Sequence, residues 1–159
     1  MAQQLWLLRH GEAEPHDARP DADRRLTDRG REQSRVAGCA LAALKVQVHL
    51  CFTSPKVRAR DTAKLACEPL GVEPIEHAAL FAGFDTADAL GLLAAAGPDQ
   101  RVMIVGHEPD FSQVVYDLTG GRVDFKKGGI AAVRLDGTRG ELIVLLRPRE
   151  LEAICASAS

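Results

Sequence analysis

Short apolar runs alternate with longer amphipathic segments along this chain, and polar residues follow each run. Residues 5–8, 46–52 and 101–105 have the length and composition of strands that are buried in a sheet. Between the runs, apolar residues recur at helical spacing, as in the segment that Thr27 can cap and that continues to about Leu44. The pattern therefore predicts a sheet whose strands are connected by helices.

The remaining helices and strands are predicted from the same two patterns, short apolar runs for strands and helical spacing of apolar residues for helices. The elements that the pattern predicts are helices over residues 27–44, 56–68, 86–95 and 110–118, an edge strand over 73–76, and a hairpin of 130–135 with 141–146. Residues 12–25 are predicted to form a polar loop, and residues 153–159 a frayed end. We expect an α/β fold, namely a three-layer α/β/α sandwich with a largely parallel sheet, in a single domain that spans residues 1–159.

Composition and charge narrow the functional classes. Apolar residues make up 46% of the 159 residues and charged residues 26%, which is typical of a globular protein rather than a disordered one. The net charge of −2 gives no general attraction to nucleic acid or to an anionic membrane, so neither is expected as a partner. Because no leader or membrane-spanning segment is visible, a cytoplasmic location is predicted.

The cysteines predict neither a metal site nor a disulfide framework. Four are present, widely scattered and without a Cys-x-x-Cys pair: Cys39, Cys51, Cys67 and Cys155. Buried thiols in a reducing compartment are the expectation. The chain also lacks a zinc-binding His-Glu-x-x-His helix, a Walker loop and a dinucleotide fingerprint, so we expect no metal and no cofactor.

Charged and nucleophilic side chains follow three of the predicted strands. Arg9 and His10 come directly after the first strand, Arg58 shortly after the second, and His107 after the strand over residues 101–105. The carboxyl ends of parallel strands meet at one edge of a sheet, where α/β proteins bind ligands. Two histidines and two arginines are therefore predicted to lie together.

This set of side chains suits phosphoryl transfer. A phosphoryl group in flight carries negative charge on three oxygens, and the planar, permanently charged guanidinium of arginine donates paired hydrogen bonds to such a group. A neutral imidazole presents an unprotonated nitrogen near pH 7 and can form a covalent intermediate that water later hydrolyses. With arginines supplying the positive charge, no metal ion is required.

The same segments resemble the motifs of the histidine phosphatase superfamily, the phosphoglycerate mutase-like proteins. Four segments carry this resemblance: Arg9-His10-Gly11, the helix start from Leu26 to Gln33, the stretch from Ser54 to Ala63 that contains Arg58, and Gly106-His107-Glu108-Pro109. The Ser-Pro and Gly-His-Glu-Pro sequences are most similar to the SixA-type branch of phosphohistidine phosphatases. The resemblance implies a phosphoglycerate mutase-like fold with His10 as nucleophile, Arg9 and Arg58 as phosphate clamps, and His107 as phosphate donor and electrostatic stabiliser.

The leaving group separates the possible substrates. An alkoxide needs a proton from a general acid, whereas the imidazole of phosphohistidine can leave neutral when its other nitrogen is protonated. The family's ester-cleaving branches have a glutamate between the second arginine and the second histidine, and here residues 80–85 contain none. Asp85, Glu12 and Glu108 are the candidate acids.

The preferred function is accordingly hydrolysis of phosphohistidine on a signalling protein such as a histidine phosphotransfer domain, with inorganic phosphate as product. Two alternatives remain open: a phosphatase of small phosphate esters, and a module that binds a phosphorylated ligand without turnover.

Other polar residues near these motifs have less specific interpretations. Three histidines lack the motif context and are predicted to lie at the surface or at strand edges: His16, His49 and His77. Arg24 and Arg25 either extend the phosphate pocket or are solvated. Ser54 either bonds phosphate or caps the following helix. Lys126 and Lys127 either steer an anionic partner or, as is usual for lysines at a turn, are solvated.

Overall fold

The computed structural model describes residues 2–158, in which six strands pair into one mixed sheet. The strands are β1 (Gln3–Arg9), β2 (Leu50–Thr53), β3 (Pro74–Glu76), β4 (Arg101–Gly106), β5 (Ile130–Asp136) and β6 (Arg139–Leu146). The helices are α1 (Asp28–Ala43), α2 (Val57–Cys67), α3 (Thr86–Ala94), α4 (Asp110–Thr119) and α5 (Pro148–Ser157). Across the sheet the order is β3-β2-β4-β1-β5-β6. Strands β1 to β4 are parallel, and β5 and β6 are antiparallel additions.

Alternation along β1 builds two cores, one on each face of the sheet. Leu5 and Leu7 belong to the core that includes residues of α3 and α4, whereas Trp6 and Leu8 belong to the core that includes residues of α1, α2 and α5. All four side chains are buried, as expected for a strand covered on both faces. The predicted three-layer α/β/α fold with a largely parallel sheet is confirmed.

The polar residues that begin two helices act as caps. The Thr27 hydroxyl accepts a hydrogen bond from the Gly30 amide at 3.1 Å, as the sequence predicted for the start of α1. The Asp85 carboxylate accepts from the Asp88 amide at 2.8 Å, and the Asp88 carboxylate accepts from the Asp85 amide at 3.1 Å, which forms a capping box at α3.

The prediction of a frayed end over residues 153–159 is wrong, because residues up to Ser157 belong to α5. Leu151 is buried and Ile154, three residues later, packs on the same core. This spacing places both side chains on one face of the helix. Ser159 lies outside the described residues.

The expectation of four free thiols is also wrong. Cys39 on α1 and Cys155 on α5 form a disulfide, although 116 positions separate them, because the two helices pack side by side on the same face of the sheet. Cys51 and Cys67 are free and buried, as predicted. The disulfide opposes the expectation of a reducing compartment, because disulfides persist mainly in oxidising environments.

The second strand is shorter than the apolar run predicted. Val46 and Val48 pack on the core without joining the sheet, and pairing begins at Leu50. Just before the strand, His49 accepts a hydrogen bond on Nδ1 from the Arg101 amide at 2.9 Å. Within residues 2–158, no helix combines the length and the apolar character needed to cross a membrane.

Candidate active site

The carboxyl ends of β1, β2 and β4 are level with one another. Arg9 pairs with Gly106 across β1 and β4, and Thr53 pairs with Val105 across β2 and β4. The next amide on each side continues the ladder, since the His10 amide donates to Gly106 at 3.1 Å. This register brings the three polar loops after these strands to one edge of the sheet, as the sequence predicted.

A cavity of about 300 Å³ opens at this edge. All four predicted site residues line it: Arg9, His10, Arg58 and His107. The loop after β1 covers it and contributes His16, Asp21 and Arg24 to the lining. Glu108 and Lys127 complete the polar part of the wall.

The ring of His10 is held in one tautomer. Its Nδ1 lies 2.7 Å from the Gly11 carbonyl oxygen, which can only accept a hydrogen bond. Nδ1 therefore carries the hydrogen, and Nε2 keeps its lone pair. Burial lowers the pKa of His10 to about 3; the Gly11 hydrogen bond opposes this shift, and the charge of Arg58 adds to it. His10 is accordingly neutral near pH 7 and presents an unprotonated nitrogen.

The backbone around His10 is fixed from two sides. The Gly11 amide donates to the Thr62 hydroxyl at 3.1 Å, and the Gly128 amide lies 3.1 Å from the His10 carbonyl oxygen. Gly11 also packs directly on the backbone of Gly30 at the start of α1, where a Cβ atom on either residue would overlap main-chain atoms. These contacts explain why small residues stand at both positions.

Each arginine is anchored by one end of its guanidinium and leaves a buried donor at the other. Arg9 donates from Nη1 to the Phe125 carbonyl at 2.7 Å, and Arg58 donates from Nη1 to the Asp21 carbonyl at 2.7 Å. The Nε–H groups of both residues are buried and have no hydrogen-bond partner within residues 2–158. Buried donors of this kind are costly unless an acceptor meets them, and a phosphoryl oxygen is such an acceptor.

His107 is oriented by a buried serine. Its Nε2 lies 2.8 Å from the Ser54 hydroxyl oxygen, and that oxygen also accepts from the Lys56 amide at 3.2 Å. Donation of the hydroxyl hydrogen to Nε2 satisfies both groups and leaves the ring hydrogen on Nδ1. That Nδ1 is buried and has no partner among the described residues. Ser54 therefore links His107 to the start of α2, because its hydroxyl oxygen also accepts from the Lys56 amide.

Burial lowers the pKa of His107 to about 3, and the neighbouring His10 and Arg58 add to the shift. His107 is therefore neutral without a bound anion. A neutral ring still donates one hydrogen bond from Nδ1, and a dianionic phosphate beside it favours the protonated form. The ring centroids of His10 and His107 are 5.3 Å apart.

Asp21 is a part of the cavity that the sequence analysis did not identify. Its carboxylate lies 2.8 Å from Lys56 Nζ, 3.0 Å from Arg24 Nη2 and 3.3 Å from Arg58 Nη2. Its hydrogen bond from Lys56 is the largest cause that holds the pKa of Asp21 well below its usual range. A carboxylate thus occupies the centre of the cation cluster. An Asp in a polar loop carries no local signal for this role, because the contacts arise only when the loop folds back.

The structure separates the three candidate acids. Glu108 lines the cavity, with one carboxylate oxygen accepting from the Ser112 amide at 2.7 Å. Asp85 is committed to the cap of α3, and Glu12 accepts from the Thr27 hydroxyl at 3.0 Å and lines a neighbouring groove. Glu108 and Asp21 are therefore the carboxylates in the cavity wall.

The structure also places the polar residues for which the sequence allowed more than one interpretation. Arg24 is buried in the pocket wall, whereas Arg25 is exposed. His16 is exposed, as predicted, but stands at the rim of the cavity. Lys127 lines the cavity, whereas Lys126 is exposed to solvent.

Comparison with known proteins identifies the family. A sequence model of the histidine phosphatase superfamily (branch 1) matches residues 5–82. An uncharacterized protein of Picosynechococcus sp. is 32% identical over 93% of this chain and 98% of its own length. The chain belongs to the histidine phosphatase superfamily.

Similarity to SixA, in sequence and in structure, narrows the relationship within that superfamily. The phosphohistidine phosphatase SixA of Escherichia coli is 28% identical over 84% of this chain and 86% of its own. The structure of the protein histidine phosphatase SixA complexed with tungstate superposes with a TM-score of 0.85 at 27% identity, over 93% of this chain and 99% of that one. The chain is a phosphatase with a histidine nucleophile and acts on a phosphorylated substrate. This sets aside the alternative of a module that only binds.

Proposed function

We propose that this phosphatase hydrolyses phosphohistidine on a phosphotransfer or signalling protein, with His10 as the nucleophile and without a metal ion. The observation that carries the proposal is that an unprotonated histidine nitrogen and several hydrogen-bond donors belong to the same cavity. The neutral His10 ring keeps a lone pair on Nε2 in a cavity that Arg9, Arg58 and His107 also line, and each of these three side chains has a buried donor without a partner in residues 2–158. A nucleophile surrounded by donors suits a phosphoryl group.

The first step transfers the group to the enzyme. Nε2 of His10 attacks phosphorus, and the bond from phosphorus to the substrate imidazole breaks. The electron pair of that bond returns to the imidazole nitrogen, so an imidazole whose other nitrogen is protonated leaves neutral. Phospho-His10 keeps its hydrogen on Nδ1, bonded to Gly11. Arg9, Arg58 and His107 hold the phosphoryl oxygens throughout.

The second step releases phosphate. Water adds to phosphorus and the bond to Nε2 breaks, so that both hydrogens of the water leave on dihydrogen phosphate. His10 returns to its neutral form with the lone pair on Nε2. Neither step requires a general acid when the substrate ring is protonated.

The carboxylates of the cavity favour this substrate over an ester. An ester needs a proton for its alkoxide, and Asp21 is held in its ionised form by the cations that surround it. Glu108 lines the cavity and supports the second candidate, a phosphatase of small esters in which it would be the acid. The location that we propose from the sequence is cytoplasmic; the free thiols of Cys51 and Cys67 support it, and the Cys39–Cys155 disulfide opposes it.

The test compares phosphate release from a histidine-phosphorylated phosphotransfer domain and from a panel of phosphate esters, in the presence of a chelator. The proposal expects fast release from the domain, loss of that release in His10→Ala, and acid-labile phosphate trapped on the wild-type enzyme. His16→Ala changes an exposed histidine at the rim of the same cavity and is the matched control. Loss of activity in chelator, or full turnover by His10→Ala, contradicts the proposal.

Glu108→Gln separates the two substrate classes. If the chain is an ester phosphatase, esters are hydrolysed faster than the phosphodomain and this variant loses that activity. If phosphohistidine is the substrate, the variant keeps its activity on the phosphodomain.

A further inference from the structure

A second concave surface adjoins the catalytic cavity. This groove, about 330 Å³ in volume, has five cationic side chains in its wall: Arg29, Lys126, Lys127, Arg147 and Arg149. We call it the basic groove. Lys127 lines both the basic groove and the catalytic cavity, so the two surfaces are continuous.

The cations of the basic groove come from three separate segments. They stand in the first turn of α1, in the loop before β5 and at the start of α5. The chain as a whole has a net charge of −2, so this concentration of positive charge is local. The fold, rather than a single basic stretch of sequence, assembles it.

Neighbouring carboxylates compensate the groove only in part. Three carboxylates contact its cations: Glu12 with Arg29, Asp124 with Lys126, and Glu150 with both Arg147 and Arg149. Five positive charges therefore face three negative ones. Lys127, beside the catalytic cavity, lies within 4 Å of no carboxylate in the described part of the chain.

The exposure of these side chains indicates the kind of partner. Arg29 is 74% exposed and Arg149 is 78% exposed, so their charged ends extend into solvent rather than forming a rigid fork around a compact ligand. Flexible cations on an open surface suit a broad, carboxylate-bearing protein surface. Each exposed pair contributes only about 0.2–1 kcal/mol, but several together steer association.

We propose that the basic groove binds an acidic surface of the phosphorylated substrate protein and thereby places its phosphohistidine over His10. The inference rests on the proposed function and adds the chemistry of the partner's surface. The groove acts on encounter and affinity, and the reacting atoms remain in the catalytic cavity.

The experiment compares two substrates with the same reacting bond. One is a histidine-phosphorylated phosphotransfer domain with an acidic surface around its histidine, and the other is free phosphohistidine. The double variant Lys126→Glu with Arg149→Glu reverses two charges of the groove. We expect kcat/KM on the domain to fall about tenfold through KM. We expect kcat/KM on free phosphohistidine to stay within about twofold, because that substrate has no protein surface to meet the groove.

Two controls make the result specific. Arg35→Glu with Arg134→Glu makes the same change in net charge at exposed arginines outside the groove and is expected to leave both substrates unaffected. For the wild type, raising NaCl from about 50 to about 300 mM is expected to raise KM for the domain but not for free phosphohistidine.

Several outcomes overturn the inference. Equal loss on both substrates would mean that the groove variant damages the catalytic cavity, and an unchanged KM on the domain would mean that the groove does not bind it. A small bisphosphate ester is assayed as a third substrate. If the groove variant loses activity on this ester and keeps it on the domain, the groove binds a compact anion instead. If the wild-type enzyme fails on the domain but cleaves small substrates, the proposed function itself has failed.

Discussion

The imidazole rings of His10 and His107 lie 5.3 Å apart, tilted by 56°, and burial lowers the pKa of both to about 3. In the unfolded chain a histidine titrates near 6.5. Between about pH 6.5 and pH 3 both rings are therefore protonated in the unfolded chain and unprotonated in the folded protein. Because the unfolded state holds more protons there, the free energy of unfolding falls as the pH is lowered through this range.

We expect each ring to contribute a slope of about 1.4 kcal/mol per pH unit in that range. Urea unfolding at several pH values between about 7.5 and 5 measures it. His10→Asn should remove one ring's share of the slope, and His16→Asn, at an exposed histidine, should leave it unchanged. Parallel slopes for wild type and His10→Asn would contradict the neutral state of His10.

We expect Ser54 to act on the phosphoryl group through His107, the side chain that the proposed function assigns to hold that group. Ser54→Ala removes the hydroxyl that fixes the Nδ1 hydrogen of His107, and we expect kcat to fall about tenfold, the equivalent of about 1.4 kcal/mol. Steady-state kinetics measure this change.

A double-mutant cycle tells positioning from general damage. If Ser54 works through His107, adding Ser54→Ala to His107→Gln should cost little further activity. Additive losses in the double variant would assign Ser54 a role of its own. Ser112→Ala, which removes an exposed hydroxyl on α4, is the control.

We expect Asp21 to compete with phosphate for the same cations. Asp21→Asn keeps the size of the side chain and removes its charge, so the potential at Lys56, Arg24 and Arg58 becomes more positive. We expect competitive inhibition by inorganic phosphate to tighten roughly fivefold, together with a lower melting temperature, because the cations then repel one another uncompensated. Inhibition assays and thermal unfolding measure both effects.

Asp21 lies in a short 3-10 turn, Asp21–Asp23, and Asp23→Asn, which removes a charge from that turn, should change neither value. Weaker inhibition in Asp21→Asn would mean instead that Asp21 serves mainly to orient Arg58.

The contact of Gly11 with Gly30 tolerates no side chain. A Cβ on Gly30 would overlap the backbone of Glu12, so Gly30→Ala should destabilise the fold by about 2 kcal/mol or more and reduce activity, since Gly11 holds the His10 ring. Urea unfolding and the phosphatase assay provide the two readings.

Gly91→Ala is the matched control for that substitution. Gly91 lies inside α3 with open space around it, and alanine there should stabilise the protein by about 0.5–1 kcal/mol. Similar stability losses at positions 30 and 91 would contradict the role of the close backbone approach.

The sequence predicted the parts of the fold that local pattern determines. Buried strands such as β4 and the capped start of α1 have periods and cap residues that are visible without a structure. The positions of Arg9, His10, Arg58 and His107 followed from their place after successive strands, because parallel topology forces such ends together. Their location in one cavity agrees with that prediction, and their catalytic roles are part of the proposed function.

What the sequence did not predict depends on contacts between distant segments. Asp21 reaches its cations only because a loop folds over the sheet edge, and Cys39 meets Cys155 only because α5 packs beside α1. The helix α5 itself did have a signal, since Pro148 stands at its start and apolar residues recur three positions apart at Leu151 and Ile154. With only ten residues, the helix is too short for this pattern to repeat often enough to be recognised.

The central position of β1 has a consequence for synthesis. This strand precedes the other five in the chain, yet its two neighbours in the sheet are β4 and β5, from the later part of the chain. The amides and carbonyls that hold the end of β1 belong to Gly106, Gly128 and Gly129. During synthesis β1 therefore has no partner strand until β4 has been made. The backbone contacts of His10 are complete only when Gly128 has followed, so that the proposed nucleophile acquires its geometry after most of the sheet exists.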